Sequence, residues 1–339
     1  MSAAPLDGKV ALVTGGTGGI GRETALGLAK LGATVVVVGR DRARGEEAVE
    51  AIRCQSGNAR VELITADLSS LDQVRWVAER FGAMHDRLDI LVNNAAGLFA
   101  ERTETVDGFE ATLALTHLSP ALLTHLLLPR LRASVPARIV NVGSGVHRWA
   151  RMRWDDLQSA DGYRGLEAYG RAKLLNLMWT YELARRLRGT GITVVAADPG
   201  SAWTAMAQGM TPAMAPAPVR LAWPVLRRLQ RGRTAQTAAR SSVVAATSRE
   251  LVSGAWLDPR GAPARSSKAS HDGEAALRAW ETTAELLEIP LERFATARVP
   301  RKAAMAQKPA IRSRIPRSGW APAVYRGDSP VGEEATAAA

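Results

Sequence analysis

The chain has 339 residues, 46% of them hydrophobic and 5% aromatic, and carries a net charge of +11. That length supplies one large domain or two ordinary ones, while the single cysteine, Cys54, rules out an internal disulfide and a cysteine-based metal site. No apolar run approaches the roughly 20 residues of a membrane span, and the opening "MSAAPLDGK" has no signal-peptide core, so a cytoplasmic location is expected.

"KVALVTG" (9–15) reads as a strand and 19–31 as a helix. "ATVVVVGR" (33–40) is a second strand, followed by a helix over 43–55. The series continues with strands at 60–68, 88–95, 137–144 and 191–200, and a short one at 254–258. Helices are expected through 71–85, 107–131, 166–188 and 234–248. The strands are continuous apolar runs, so both faces of the sheet should be covered. Alternation of strand and helix through short links implies right-handed crossovers: an α/β, Rossmann-type doubly wound parallel sheet.

No linker interrupts residues 1–297, which read as one domain. From Arg298 to Arg326 there are eight basic residues and no acidic one, with no helical or strand period. Residues 298–339 therefore read as a disordered basic tail. Part of the charge surplus sits there, so no nucleic-acid partner is expected.

"VALVTGGTGGIGRETALGLAKLG" (10–32) is a strand, a glycine-rich turn and a helix. Gly15, Gly19 and Gly21 let the backbone turn tightly, approach a pyrophosphate and pack helix on strand. Thr17 and Ile20 lie in the same turn, and the helix N-terminus offers free N–H groups to an anion. The second strand ends in Arg40 where an NAD site usually carries an acid, and Arg22 adds a second positive charge. A 2′-phosphate suits both, so NADP(H) is expected over NAD(H); both arginines also have an ordinary reading as solvated charges. Asp67, with Leu68 at the end of the third strand, is placed to bond the adenine amine, or equally to cap a helix, for which Ser69 and Ser70 are better suited.

In "EAYGRAK", Tyr169 and Lys173 are four residues apart and share a helix face. Ser144 closes "VNVGS" at the C-terminal end of the fifth strand, where open α/β sheets place ligands. A phenol normally titrates near about 10. A neighbouring ammonium and a cationic nicotinamide would favour phenolate, and Tyr169 could then exchange a proton with a substrate oxygen that Ser144 holds.

"TGGTGGIG" (14–21), "NNAA" (93–96), Ser144, "YGRAK" (169–173) and "DPG" (198–200) resemble the short-chain dehydrogenase/reductase family in order and spacing, over about residues 6–290. "ADLSSLDQVR", "RIVNVGSGVHR" and "AYGRAKLLNLMWTYELARRL" are most similar to its retinol-dehydrogenase-like branch, as is the 25-position gap between Ser144 and Tyr169. The resemblance implies NADP(H)-linked interconversion of a carbonyl and an alcohol. It implies that Asn93 and Ala95 shape the cofactor site, that Pro199 and Gly200 face the nicotinamide, and that Thr204 bonds its carboxamide. It implies a homodimer or homotetramer formed through the helices at 107–131 and 166–188.

Thr116 stands where the family has a fourth catalytic residue, an asparagine that helps hold a proton-relaying water near the lysine. A catalytically weak dinucleotide-binding sensor or scaffold is therefore the rival reading. Pro120 removes an N–H four residues later. Residues 201–233, rich in Met, Trp, Ala and Pro, suit an apolar lid over a lipophilic small molecule. Within them Ala222, Val225, Leu226 and Leu229 form a helical stripe, read as a lid helix packed on the core rather than as peripheral membrane contact. Trp149 and Trp154 are candidates for the pocket wall or for plain packing. His85, His117, His125, His147 and His271 show no metal spacing, and Cys54 has no flanking base.

Overall fold

A computed structural model describes residues 4–215, 220–221, 223–225, 228 and 233–289. The expected tail at 298–339 and the boundary at 297 lie outside the described residues, as do Ala222, Leu226 and Leu229 of the lid stripe.

Eight strands form one sheet: β1 (Val10–Thr14), β2 (Thr34–Gly39), β3 (Val61–Thr65), β4 (Ile90–Asn93), β5 (Ala137–Val142), β6 (Ile192–Ala197), β7 (Ala255–Leu257) and β8 (Pro263–Ala264). Their order is β3-β2-β1-β4-β5-β6-β7-β8. The first seven are parallel, and β8 runs antiparallel to β7. The strand order reverses between β1 and β4, which is where a doubly wound sheet opens a crevice at its C-terminal edge.

Side chains of β1 and β2 alternate between two cores, as a two-residue period requires. Leu12 and Val36 enter a core shared with α3 (Leu71–Met84), α4 (Ala111–Ala133), α5 (Gly165–Arg186) and α7 (Gly273–Leu286). Ala11, Val13, Val35 and Val37 enter the opposite core, with α1 (Gly19–Lys30), α2 (Arg42–Ser56) and α6 (Ala235–Thr247). Asp41 starts α2 by accepting from Arg44 N at 3.0 Å, and Ser70 starts α3.

Three elements differ from expectation: the antiparallel β8, which the sequence reading does not assign, and two helices. Helix α4 begins at Ala111, not 107, because residues 104–110 form a turn closed by a Glu104–Glu110 bridge, and the Glu110 carboxylate then caps Thr112 N and Leu113 N, each at 2.8 Å. The ladder of α4 also slips into a π-turn over Ala114–Leu118, where Ser119 N reaches Ala114 O. Pro120 has no N–H to return to the Thr116 carbonyl, which accounts for the slip. Among the described residues α4 alone is long and apolar enough to cross a membrane, and 89% of its apolar window is buried in the core.

Helix α7 is not assigned by the sequence reading. Asp272 caps it, accepting from Glu274 N at 3.0 Å and Ala275 N at 3.1 Å. Its buried face is Ala276, Ala279, Trp280 and Thr283, an i, i+3, i+4, i+7 stripe that was present in the sequence to be read.

Candidate active site

The glycine turn is locked to the next strand across the switch point. Thr14 Oγ1 accepts from Asn94 N at 2.9 Å and Ala95 N at 3.0 Å, while Asn94 Nδ2 donates to Thr14 O at 2.8 Å. A Cβ on Gly21 would collide with the Gly15 carbonyl and the Asn94 amide, so α1 can approach β1 this closely only with glycine there. Gly15 and Gly19 have φ of +64° and +51°. Gly18, the N-cap of α1, gives no side-chain cap, and the first turn holds no acid. Its N–H groups are thus available to an anionic pyrophosphate, for which the bare glycine cradle leaves room.

Thr204, 185 positions after Gly19, comes to the same place: a Cβ on Gly19 would lie 3.3 Å from its Cγ2. Gly200 (φ +68°) and Pro199 lie between Thr204 and β6, and Gly200 N donates to Asp198 Oδ1 at 2.9 Å. The methyl of Thr17 packs over Gly39 at the end of β2. Ile20 contributes its carbonyl to Thr24 Oγ1 at 2.8 Å, inside α1.

A cavity of about 290 Å³ opens beside the turn, lined by Thr17, Gly18, Gly19, Arg22 and Arg44 among others. Arg22 is paired with Glu23 at 2.6 Å, so its charge is partly committed. Arg40 is exposed just after β2. Arg44 is a third cation here, within 3.7 Å of a Cβ built on Gly18. Sequence reading passes over it, although Asp41 as N-cap would have placed it in the first turn of α2. Asp67 is exposed at the end of β3, where Oδ1 accepts from Ser69 N at 2.9 Å and Ser69 Oγ at 2.8 Å, and Leu68 is buried.

Asn93 does not face this crevice. Its Nδ2 donates to Asn141 Oδ1 at 2.8 Å and Thr124 Oγ1 at 3.0 Å, in a buried network that joins β4, β5 and α4. Its neighbour Asn94 holds the turn instead, because successive strand side chains point to opposite sides.

Ser144, Tyr169 and Lys173 do come together at the end of β5. The Ser144 hydroxyl is near enough to the Tyr169 phenol to ease its ionisation. Lys173 Nζ lies 5.7 Å from the Tyr169 ring centre and donates to Val142 O at 2.7 Å. Burial pushes the Tyr169 phenol well above its ordinary value of 10; the Ser144 hydroxyl opposes this and the Asp198 carboxylate adds to it. Burial lowers the Lys173 ammonium to about 8, with Asp198 acting to keep it charged. The expectation that the lysine acidifies the phenol is therefore corrected: among this chain's own groups, dehydration dominates.

Asp198 is the residue missed here. It is 7% exposed, and burial raises its carboxyl while the Gly200 N–H, Arg148 and Lys173 favour the charged form. Thr116 is 1% exposed, and its hydroxyl is occupied by Gly97, accepting from N at 3.2 Å and donating to O at 3.3 Å. It ties the π-turn to the segment after β4.

Of the two readings of Trp149 and Trp154, pocket wall or plain packing, the second fits their places. Trp149 is 80% exposed, and Trp154 packs on the α3/α4/α5/α7 core under the Arg278 guanidinium, 4.8 Å from the ring centre. Val225, the one described residue of the lid stripe, is 63% exposed and does not pack on the core.

The profile of the short chain dehydrogenase family matches residues 9–215. Mouse retinol dehydrogenase 12 is 45% identical over 195 residues, covering 58% of this chain and 62% of that protein. Mouse retinol dehydrogenase 13 is 36% identical over 293 residues, 86% of this chain and 87% of its own. Among solved structures, an uncharacterised protein of Mycobacterium paratuberculosis is 30% identical with a TM-score of 0.68, covering 86% of this chain and 98% of that one. The RhlG/NADP active-site complex of Pseudomonas aeruginosa is 30% identical with a TM-score of 0.60, over 77% and 98%. The chain spans about six-tenths of the retinol dehydrogenase 12 relatives it resembles. Profile, relatives and site geometry agree, and the chain belongs to the short-chain dehydrogenase family, in its retinol-dehydrogenase-like branch.

Proposed function

We propose that the protein is an NADP(H)-dependent oxidoreductase interconverting a carbonyl and an alcohol on a lipophilic small molecule. The observation that carries this reading is Lys173 Nζ held 5.7 Å from the Tyr169 ring centre and bonded to Val142 O at the end of β5, beside Ser144 and a bare glycine cradle. The cofactor, when bound, supplies or accepts the hydride. Gly15, Gly19 and Gly21 with the first turn of α1 would hold its pyrophosphate, and Thr204 its nicotinamide end.

The residues of the chain divide the remaining work. Ser144 orients the substrate oxygen. In the reductive direction Tyr169 donates a proton to the carbonyl oxygen as the hydride arrives, and in the oxidative direction it takes the proton back. Lys173 holds positive charge beside the phenol. Arg22 and Arg44 in the cavity wall, shared with Glu23 and Glu47, the exposed Arg40 after β2, and an Asp41 that is spent on capping α2 support NADP(H) over NAD(H).

The names of its relatives support a retinoid or similar apolar carbonyl as substrate. Purified protein given all-trans-retinal, long-chain aldehydes and polar sugars should oxidise NADPH fastest with the apolar carbonyls. NADH should be the poorer cofactor by about tenfold or more, and Arg44→Ala should narrow that gap. Equal rates with both cofactors would remove the assignment of the basic rim. A second reading, a dinucleotide-binding sensor with little turnover, has one observation in its favour: the Thr116 hydroxyl is already committed to Gly97. Tight NADPH binding with no turnover on any carbonyl would select it.

A further inference from the structure

We infer that His147 is the positioning residue of Ser144, acting as a neutral imidazole that carries its proton on Nδ1. The inference rests on the reading above in one respect: Ser144 must orient the substrate oxygen.

His147 lies in the single 3-10 turn, Gly145–Arg148, that Ser144 caps, and it is 1% exposed. Nδ1 is 2.6 Å from the Ser144 carbonyl oxygen. A carbonyl can only accept, so Nδ1 bears the proton. On the other side of the ring, Ser267 N donates to Nε2 at 3.0 Å. A backbone N–H can only donate, so Nε2 is bare. Each contact alone fixes the tautomer; the two agree, and together they leave no place for a second proton. Burial lowers the basicity of the ring; the bond to the Ser144 carbonyl opposes this, and the nearby Arg148 and His271 add to it.

The clamp has a partner on the opposite side of the serine. Gly143 N donates to Ala197 O at 2.8 Å, and Trp256 of β7 occupies the space that a Gly143 side chain would need, 2.5 Å from a built Cβ. The same Trp256 ring packs edge-on against His147, with centroids 4.7 Å apart. Ser144 is thus gripped in front and behind.

Ser267 is itself anchored to α5. The adjacent Ser266 Oγ shares hydrogen bonds with Tyr181 OH at 2.6 Å and His271 Nε2 at 2.9 Å, and the Tyr181 and His271 rings stack at 4.9 Å. Tyr181 stands three turns along the helix that presents Tyr169 and Lys173. The connection Ser144–His147–Ser267–Ser266–Tyr181 therefore ties the serine to the helix of the tyrosine without using the long segment 149–164. That route sets the serine–phenol distance, which in a reacting complex must hold within a fraction of an ångström.

Two measurements test this. In cofactor-free protein labelled with nitrogen-15 histidine, the His147 signals, identified by their loss in His147→Phe, should show a protonated Nδ1 and a bare Nε2 from about pH 5 to 8. An imidazolium, or a proton on Nε2, in that range overturns the tautomer. In the second, His147→Phe, which fills the space with neither contact, should lower kcat for retinal reduction by about tenfold to 10²-fold. The NADPH dissociation constant should stay within about twofold, and His147→Asn, which keeps a donor toward Ser144, should recover part of the rate. Unchanged kcat in His147→Phe overturns the positioning role. So does a parallel loss of NADPH binding and of melting temperature in both variants, which would mark the histidine as general support. A wild-type protein that binds NADPH and reduces nothing would sink the functional reading instead, and the nitrogen-15 spectrum would still decide the tautomer.

Discussion

On the proposed mechanism, partial burial holds the proton on the Tyr169 phenol and full burial loosens the one on Lys173, and these opposed shifts set the pH dependence of the site. Tyr169 stays protonated through neutral pH, and Lys173, lowered to about 8, is charged below that value and neutral above it. The kcat/KM for carbonyl reduction should therefore be level on the acid side and fall as pH rises through about 8. The Asp198 carboxylate favours the charged lysine, so Asp198→Asn should move that decline to lower pH. A decline that stays in place would show that Asp198 does not act on Lys173. Ser144, Tyr169 and Lys173 were legible because their chemistry and spacing are local. Asn94, His147 and Asp198 were not, since each acquires its role from a strand or segment remote in sequence: Thr14 on β1, Ser267 after β8, Lys173 on α5. Asn93 was misplaced by one position, which in an extended chain is the difference between facing the crevice and facing the core.

At the level of elements, the alternation of apolar runs and amphipathic helices gave seven strands and six helices close to where they stand, because both faces of a parallel sheet demand continuous apolar strands. What escaped was governed by single residues: Glu110, which delays the start of α4, and Asp272, which starts α7. Trp280 of α7 is 1% exposed, lies parallel to Trp179 with centroids 5.8 Å apart, and has the Arg186 guanidinium 4.5 Å from its ring centre. His117 Nε2 and Thr283 Oγ1, 2.7 Å apart, fix the same helix to α4. Trp280→Ala should cost about 3–5 kcal/mol, measured by denaturant unfolding, since it empties the largest fully buried side chain of the core. A loss below about 1 kcal/mol would mean that α7 is a loosely held appendage. On the opposite face of the sheet, Gly21→Ala should abolish NADPH binding, because its methyl needs the place of the Gly15 carbonyl.

For the whole molecule, the packing of α7 bears on assembly. The resemblance implies pairing through α4 and α5, yet α5 is buried along most of its length, including Trp179, Glu182 and Leu183, and α7 lies against it. Pairing through that face would require α7 to leave, exposing Trp179 and Trp280. Any dimer or tetramer of the chain should therefore leave this face covered, and an oligomer in which Trp179 and Trp280 become a subunit contact would contradict that.

The measurement that bears most directly on the proposed chemistry is a comparison of Tyr169→Phe with the wild type in two assays on the same preparations, NADPH binding by titration and NADPH oxidation with all-trans-retinal. The phenol hydroxyl transfers the proton and plays no part in the glycine cradle, so turnover should fall by about 10²-fold or more while the NADPH dissociation constant changes by less than about threefold. Turnover that survives the loss of this one oxygen would contradict the account.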